Sequence, residues 1–218
     1  MTITRSLPGL DHTLVQKLLD EHEHAYTSGR QLNQREHQGV SECQIDGKSY
    51  IIKAYQASSP LAALRILLGH SRVDTSFRYA RILNDNKIPV AKHLLTVKHL
   101  SLSNSQAFLV MEKAPGTALF EFIQRETNLT LSDAAIENIG TLIANLHKLG
   151  IAHGDLHTRN LIIAEDNSVR LIDLDNAKKS AKGIRKDLEC FRKAVAFTSD
   201  YEPAIVDAMK RAGHPLLR

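Results

Sequence analysis

HGDLHTRN at residues 153–160, followed by LIDLD at 171–175, is the stretch that decides how this chain folds. Asp155 and Asn160 stand five residues apart on a polar loop between a helical segment and a β-like one. Asp173 ends the next β-like segment, about one hairpin further on. That spacing lets all three side chains converge on one point. Two carboxylates and an amide supply hard oxygen ligands for a divalent cation, and a carboxylate that can orient a hydroxyl and take its proton. Transfer of a phosphoryl group asks for little more than these and a cation on the phosphates, because positioning and charge stabilisation carry that reaction.

Working outward, NLIIA and VRLIDL form the two β-like segments around the polar turn Glu165–Ser168. Upstream, AAIENIGTLIANLHKL has helical periodicity, with a capping box at Thr130-Leu-Ser-Asp133 before it and Gly150 as its stop. Ala114-Pro115-Gly116 breaks the pattern sharply. Before that break the chain is strand-rich. SECQI and KSYIIKAY flank Asp46-Gly47, the signature of a tight type I′ hairpin, and residues 88–100 and 106–112 read as two more strands. Ser59-Pro60 suits a helix start. An amphipathic helix spans 71–84 with Val73, Phe77, Ala80 and Leu83 on one stripe. A further helix covers 11–26, where His22 and His24 flank a glutamate and are expected to face solvent. A basic segment and one or two helices close the chain. The expected division is an N-terminal helical extension (1–30), a β-rich lobe (31–112) and a helical lobe (113–218), in one α+β catalytic domain.

Composition narrows the class of function. With 218 residues the chain can bury a core without staples. No apolar run approaches the roughly 18 residues that span a bilayer, and the first residues have no apolar core of an export signal. Cys43 and Cys190 are far apart and form no ligand-like pair, which fits free thiols in a reducing cytosol. The net charge of +4 is too small to argue for nucleic acid. It suits an anionic small substrate or the anionic inner surface of a membrane.

HGDLHTRN resembles the catalytic loop of kinase-like phosphotransferases, and three other segments resemble that superfamily in the right order. The resemblance implies a bilobal protein-kinase-like fold with a small β-rich N-lobe and a compact helical C-lobe. It implies that Asp155 is the catalytic base, and that Asn160 and Asp173 hold Mg²⁺. YIIK (50–53) resembles the strand whose lysine, here Lys53, grips the α- and β-phosphates of ATP. FLVMEKAPG (108–116) resembles the last N-lobe strand and hinge, where adenine would meet the backbone at Glu112 and Ala114. Gly39 is the single glycine of the nucleotide loop. His153 is expected to support the loop by hydrogen bonding. The helix at 71–84 offers Asp74 as the partner of Lys53, in place of the usual glutamate, and Asp175 stands where a glycine usually follows the metal aspartate.

Only about 45 residues follow Asp173, without the long activation segment of protein kinases. SPLAALRILLGHSRVDTSFRYARILNDNKIPV (59–90) and KKSAKGIRKDLECFRKAV (178–195) are similar to the lipopolysaccharide kinase (Kdo/WaaP) family. That resemblance implies an ATP-dependent kinase acting on a sugar hydroxyl of the lipopolysaccharide core, cytoplasmic and peripheral on the inner face of the inner membrane. The acceptor, Kdo or heptose, would be an anionic glycolipid or sugar. Cations before and after the motifs suit it, with Arg72, Arg185 and Lys186 as acceptor-binding candidates. The alternative is an atypical small serine/threonine protein kinase or ATPase acting in a complex. That family usually carries a Thr-Thr-Ser-type sequence after HGDL, where this chain has His157-Thr-Arg159. A non-enzymatic scaffold would have no need to retain Lys53, Asp155, Asn160 and Asp173 together.

Overall fold

The computed structural model describes residues 2–101, 105–124, 128–198 and 200–217. The chain divides into two compact units, Met1–Arg78 with Ala91–Lys113, and Tyr79–Val90 with Ala114–Arg218.

The first unit is built on a six-stranded sheet. Its elements are β1 (Thr2–Ser6), α1 (His12–Ser28), β2 (Arg30–Arg35), β3 (Gln38–Ile45), β4 (Lys48–Gln56), α2 (Pro60–Leu67), α3 (Arg72–Asp85), β5 (His93–His99) and β6 (Gln106–Glu112). The spatial order is β1-β5-β6-β4-β3-β2, and every neighbouring pair is antiparallel. The β3–β4 hairpin forms as its turn chemistry demands: Asp46 and Gly47 both adopt positive φ, 51° and 74°, as a type I′ turn requires. α1 starts at Asp11, whose side chain accepts the Leu14 N–H at 3.0 Å. It lays Leu14, Leu18 and Ala25 on the sheet face made by Tyr50, Ile52, Leu95, Val97, Phe108 and Val110. Burial of each large side chain there contributes about 1.5–3 kcal/mol.

Two expectations change in this unit. The N-terminal segment does not stand apart as a helical extension: β1 pairs with β5, and α1 packs into the same core. Strand β5 begins at His93 and not at residue 88, because Pro89 has no N–H to give to a ladder. Val90 makes only an isolated bridge, to Leu171 in the second unit's own fold.

α3 is shared by the division, its residues from Tyr79 onward counting with the second unit. That unit continues with β7 (Thr117–Ala118), α4 (Leu119–Ile123), α5 (Asp133–Lys148), β8 (Ile151–Ala152), β9 (Leu161–Ile163), β10 (Val169–Leu171), β11 (Lys178–Lys179), α6 (Ala181–Thr198) and α7 (Glu202–Arg211). One apolar cluster joins Leu83 and Val90 to Ile139, Ile143, Leu161, Leu171, Phe191 and Met209. The cap of α5 is Ser132, which accepts the Ala135 N–H at 3.1 Å, so the capping box expected from Thr130 lies two residues too early. Ser132 also donates to Asn167 Oδ1 at 2.6 Å, a bond that holds it at the helix entrance. The small sheet β10-β9-β7 and the pair β11-β8 frame the loop that carries the motif.

Candidate active site

The loop from Ala152 to Leu161 is held open by buried polar bonds. Asp187, on α6 and 3% exposed, accepts the His153 N–H at 2.6 Å and the Gly154 N–H at 3.0 Å. These are strong because the acceptor is ionic and the site is dry. Gly154 has φ 83°, and a Cβ there would run into the backbone carbonyl of Asn176. Glycine is therefore dictated twice, by conformation and by space. The His153 ring donates from Nε2 to the Ile172 carbonyl at 2.9 Å, the loop-supporting role expected of it. Full burial pushes the pKa of His153 below that of an ordinary histidine, so the ring stays neutral.

The same segment brings the metal candidates together. The Ile172 N–H donates to the Asn160 carbonyl at 3.0 Å, so the residue before Asp173 is stitched to Asn160 on one side and to His153 on the other. Asn160 is buried and its Nδ2 donates to the Asp155 carbonyl at 2.9 Å. With the amide nitrogen turned into the loop, Oδ1 is the atom a hard cation would take. Asp173 sits at φ 61°, in the left-handed region that costs a non-glycine residue energy and that clusters at functional sites. This conformation ends β10 two residues earlier, at Leu171. Asp155 is exposed at the surface of the loop. His157 Nδ1 accepts the Arg159 N–H at 3.2 Å, and its Nε2 lies 3.5 Å from Asp155 Oδ2 and 3.3 Å from Asn160 Nδ2. The Arg159 guanidinium lies 4.1 Å over the Phe120 ring. Asp155, Asn160 and Asp173 are thus held on adjoining, mutually bonded backbone.

Asp187 is the residue that sequence reasoning missed. Behind it runs a chain of two histidines. The Leu216 N–H donates to His214 Nδ1 at 3.2 Å, so the His214 proton is on Nε2, facing His147 Nδ1 at 2.7 Å. His147 in turn presents Nε2 to Asp187 Oδ2 at 3.5 Å. Burial holds the His214 pKa down at about 4. The only sequence signal for this network was the aspartate of the DL-containing helix after the basic stretch.

In the first unit, Lys53 is buried in β4, opposite Val40 on β3 and Leu109 on β6. Asp74 engages Lys98 on β5: the Nζ–Oδ1 distance is 2.5 Å, both side chains are buried, and Ser71 donates its N–H and hydroxyl to the same carboxylate. Asp74, the candidate partner for Lys53 on β4, is instead paired with Lys98 on β5, and β6 lies between those two strands. Glu112 ends β6; its N–H donates to Lys92 O at 2.9 Å, and the Lys113 N–H donates to Ser49 O at 3.0 Å. Gly39 lies inside β3, where a Cβ would collide with the Tyr26 hydroxyl, so packing against α1 accounts for it. Arg72 donates to Gln38 Oε1 at 2.9 Å.

On the second unit, Arg185 and Lys186 are exposed on α6, and Lys178 and Lys179 are exposed on β11 beside β8, the strand that leads into the motif loop. Arg185 borders a groove floored by Leu188 and Leu216. Two other cations of that groove are paired, Arg192 with Glu202 at 2.5 Å and Lys193 with Glu189 at 2.6 Å.

Comparison with known proteins agrees with this geometry. The chain is 29% identical over 157 residues to the EKC/KEOPS complex subunit BUD32 of Encephalitozoon cuniculi, covering 71% of this chain and 73% of that protein. It is 33% identical over 95 residues to the maternal embryonic leucine zipper kinase of Xenopus tropicalis, a match that covers 43% of this chain and 15% of that kinase. It is 38% identical over 68 residues to the human hormonally up-regulated neu tumor-associated kinase, covering 30% and 10% respectively. The fold is protein-kinase-like, and the matches to these two kinases span 15% or less of their length. Residues 21–211 match the lipopolysaccharide kinase (Kdo/WaaP) family, and the chain belongs to that family.

Proposed function

We propose that this enzyme transfers the γ-phosphate of ATP to a sugar hydroxyl of the lipopolysaccharide core, Kdo or heptose. The observation that carries the chemistry is the Asp187-pinned loop, which holds Asp155 and Asn160 on backbone bonded to the neighbour of Asp173. Asp155 orients the acceptor hydroxyl and takes its proton as the new oxygen–phosphorus bond forms and the bond to ADP breaks. Asn160 Oδ1 and the Asp173 carboxylate are a hard donor set that fits Mg²⁺. The ion, when bound, neutralises charge on the phosphates. Lys53 serves the α- and β-phosphates. Because the Glu112 and Lys113 N–H groups are already committed, adenine would use the Glu112 carbonyl and the Ala114 N–H.

A glycolipid acceptor is supported by α2. Leu61, Leu64, Leu67 and Leu68 are all between 46% and 58% exposed, an unusual density of bare leucine on one short helix and its cap. Arg65 lies among them and His70 and Arg72 follow, a composition suited to the anionic surface of a membrane. No helix among the described residues is long and apolar enough to cross a membrane, so contact would be peripheral. Arg185 and Lys186 would meet the acceptor's anionic groups. The similarity to the EKC/KEOPS subunit favours a second reading, a small atypical protein kinase or ATPase working in a complex.

Mass spectrometry of lipopolysaccharide from cells with and without the gene separates the two. Loss of one phosphate from a core sugar, restored by the wild-type gene and not by Asp155→Ala, supports the glycolipid acceptor. Unchanged lipopolysaccharide, with a phosphoprotein lost instead, supports the second reading.

A further inference from the structure

Among the described residues, three side chains far in sequence from the motif loop bring ligand atoms together. His22 and Glu23 on α1 and His99 at the end of β5 place one nitrogen or oxygen each within 4.8 Å of the others. His22, expected in solvent, is 4% exposed, and its Nε2 lies 3.2 Å from His99 Nε2. Glu23 Oε1 lies 3.1 Å from the same His99 nitrogen. The far nitrogens are also tied. His22 Nδ1 is 2.8 Å from the Leu19 carbonyl, which can only accept, so this nitrogen carries the proton and Nε2 offers its lone pair inward. His99 Nδ1 is 3.2 Å from Thr2 Oγ1. Phe108 abuts both rings edge-on, at centroid distances of 4.8 and 5.8 Å, and limits their rotation. Outer hydrogen bonds that fix ring orientation while the other nitrogen points at a shared spot are the usual setting of metal-bound histidines.

We propose that His22, Glu23 and His99 bind a divalent transition-metal ion of the Zn²⁺ class, tying α1 to the sheet. Two neutral imidazoles and one carboxylate form an N₂O set that suits zinc and not the hard cations of phosphoryl transfer. In the metal-free chain, His99 Nε2–H bridges to His22 Nε2. The ion replaces that proton, which moves to His99 Nδ1 and is donated to Thr2 Oγ1. His99 and Glu23 are partly open to solvent, which gives the ion a way in. The site joins β1, α1 and β5.

The test uses the full chain, freed of metal by a chelator and titrated with ZnCl₂ or CoCl₂ without nucleotide. One equivalent should bind, Co²⁺ should show the visible absorption of a four-coordinate site, and Zn²⁺ should raise the melting temperature. His99→Gln should abolish this binding. Glu23→Gln and Thr2→Ala should each weaken it by about tenfold or more. Asp173→Asn should leave it unchanged. Glu23, His99 and Thr2 are not core positions, so these variants stay folded, which circular dichroism checks. Absence of stoichiometric binding would overturn the proposal. So would binding that survives both His99→Gln and Glu23→Gln, or binding that disappears in Asp173→Asn.

Discussion

Asp74 in the first unit and Asp187 in the second are both almost completely buried, and the two do different work. Asp74 meets an ammonium: Lys98 Nζ at 2.5 Å, with Ser71 completing its shell. Asp187 meets backbone: the N–H groups of His153 and Gly154, with the His147 ring behind. A buried ion pair draws its attraction against the desolvation of two charges, so an apolar pair of similar shape can replace it. A carboxylate that satisfies two backbone N–H groups, one of them buried, has no apolar substitute, because its removal leaves a buried donor unpaired. The first unit therefore uses its aspartate to lock α3 on the sheet. The second uses its own to shape the motif loop.

The contrast can be broken by rescue experiments. Lys98→Ala should lower stability by about 3–5 kcal/mol, since it leaves Asp74 buried and unpaired. Lys98→Met combined with Asp74→Leu should recover most of that loss in a denaturant titration. A single Lys98→Ala variant as stable as wild type would mean that the pair is solvated. Asp187→Ala should cost less in stability, about 1.5–3 kcal/mol, yet it should reduce kcat with little change in KM for ATP. No second apolar substitution should restore it. Full activity in Asp187→Ala would show that the loop keeps its shape without this anchor.

The weakest expected effect sharpens the same comparison through pH. His214 has its pKa lowered to about 4, so the folded chain resists protonation that the unfolded chain accepts near 6.5. The folded state then binds fewer protons, and this residue's contribution is complete above about pH 6.5 and is lost as pH falls toward about 4. His22 and His153, whose pKa values are also lowered by burial, act in the same direction. Thermal melts across that window should show a shallower decline for His214→Gln than for wild type. Parallel curves would remove His214 from the linkage.

Much of the site was legible because it is local. HGDLHTRN and LIDLD hold the loop and the hairpin within about twenty residues, and the Asp46-Gly47 turn specifies its own conformation. What stayed hidden depends on distant pairing. β1 is a five-residue strand whose partner, β5, lies 89 to 97 residues away, and nothing in TITRS announces it. Lys98 belongs to no motif, and the DL-containing segment that holds Asp187 does not say what it binds; both roles follow from which backbone or carboxylate the fold brings to them. His22 is buried, against the expectation from its polar neighbours. It falls four residues after Leu18 and three before Ala25, on the buried stripe of α1, and the flanking polar residues masked that periodicity.

The central claim is that the loop ending at Asn160 is a phosphoryl-transfer centre with Asp155 as its base. Single-turnover transfer from ATP by Asp155→Ala, measured beside MgATP affinity by calorimetry, tests it most directly. The chemical step should slow by a factor on the order of 10² to 10⁴ while MgATP affinity stays near the wild-type value. Near-wild-type turnover in that variant would contradict the assignment and move the base to another residue.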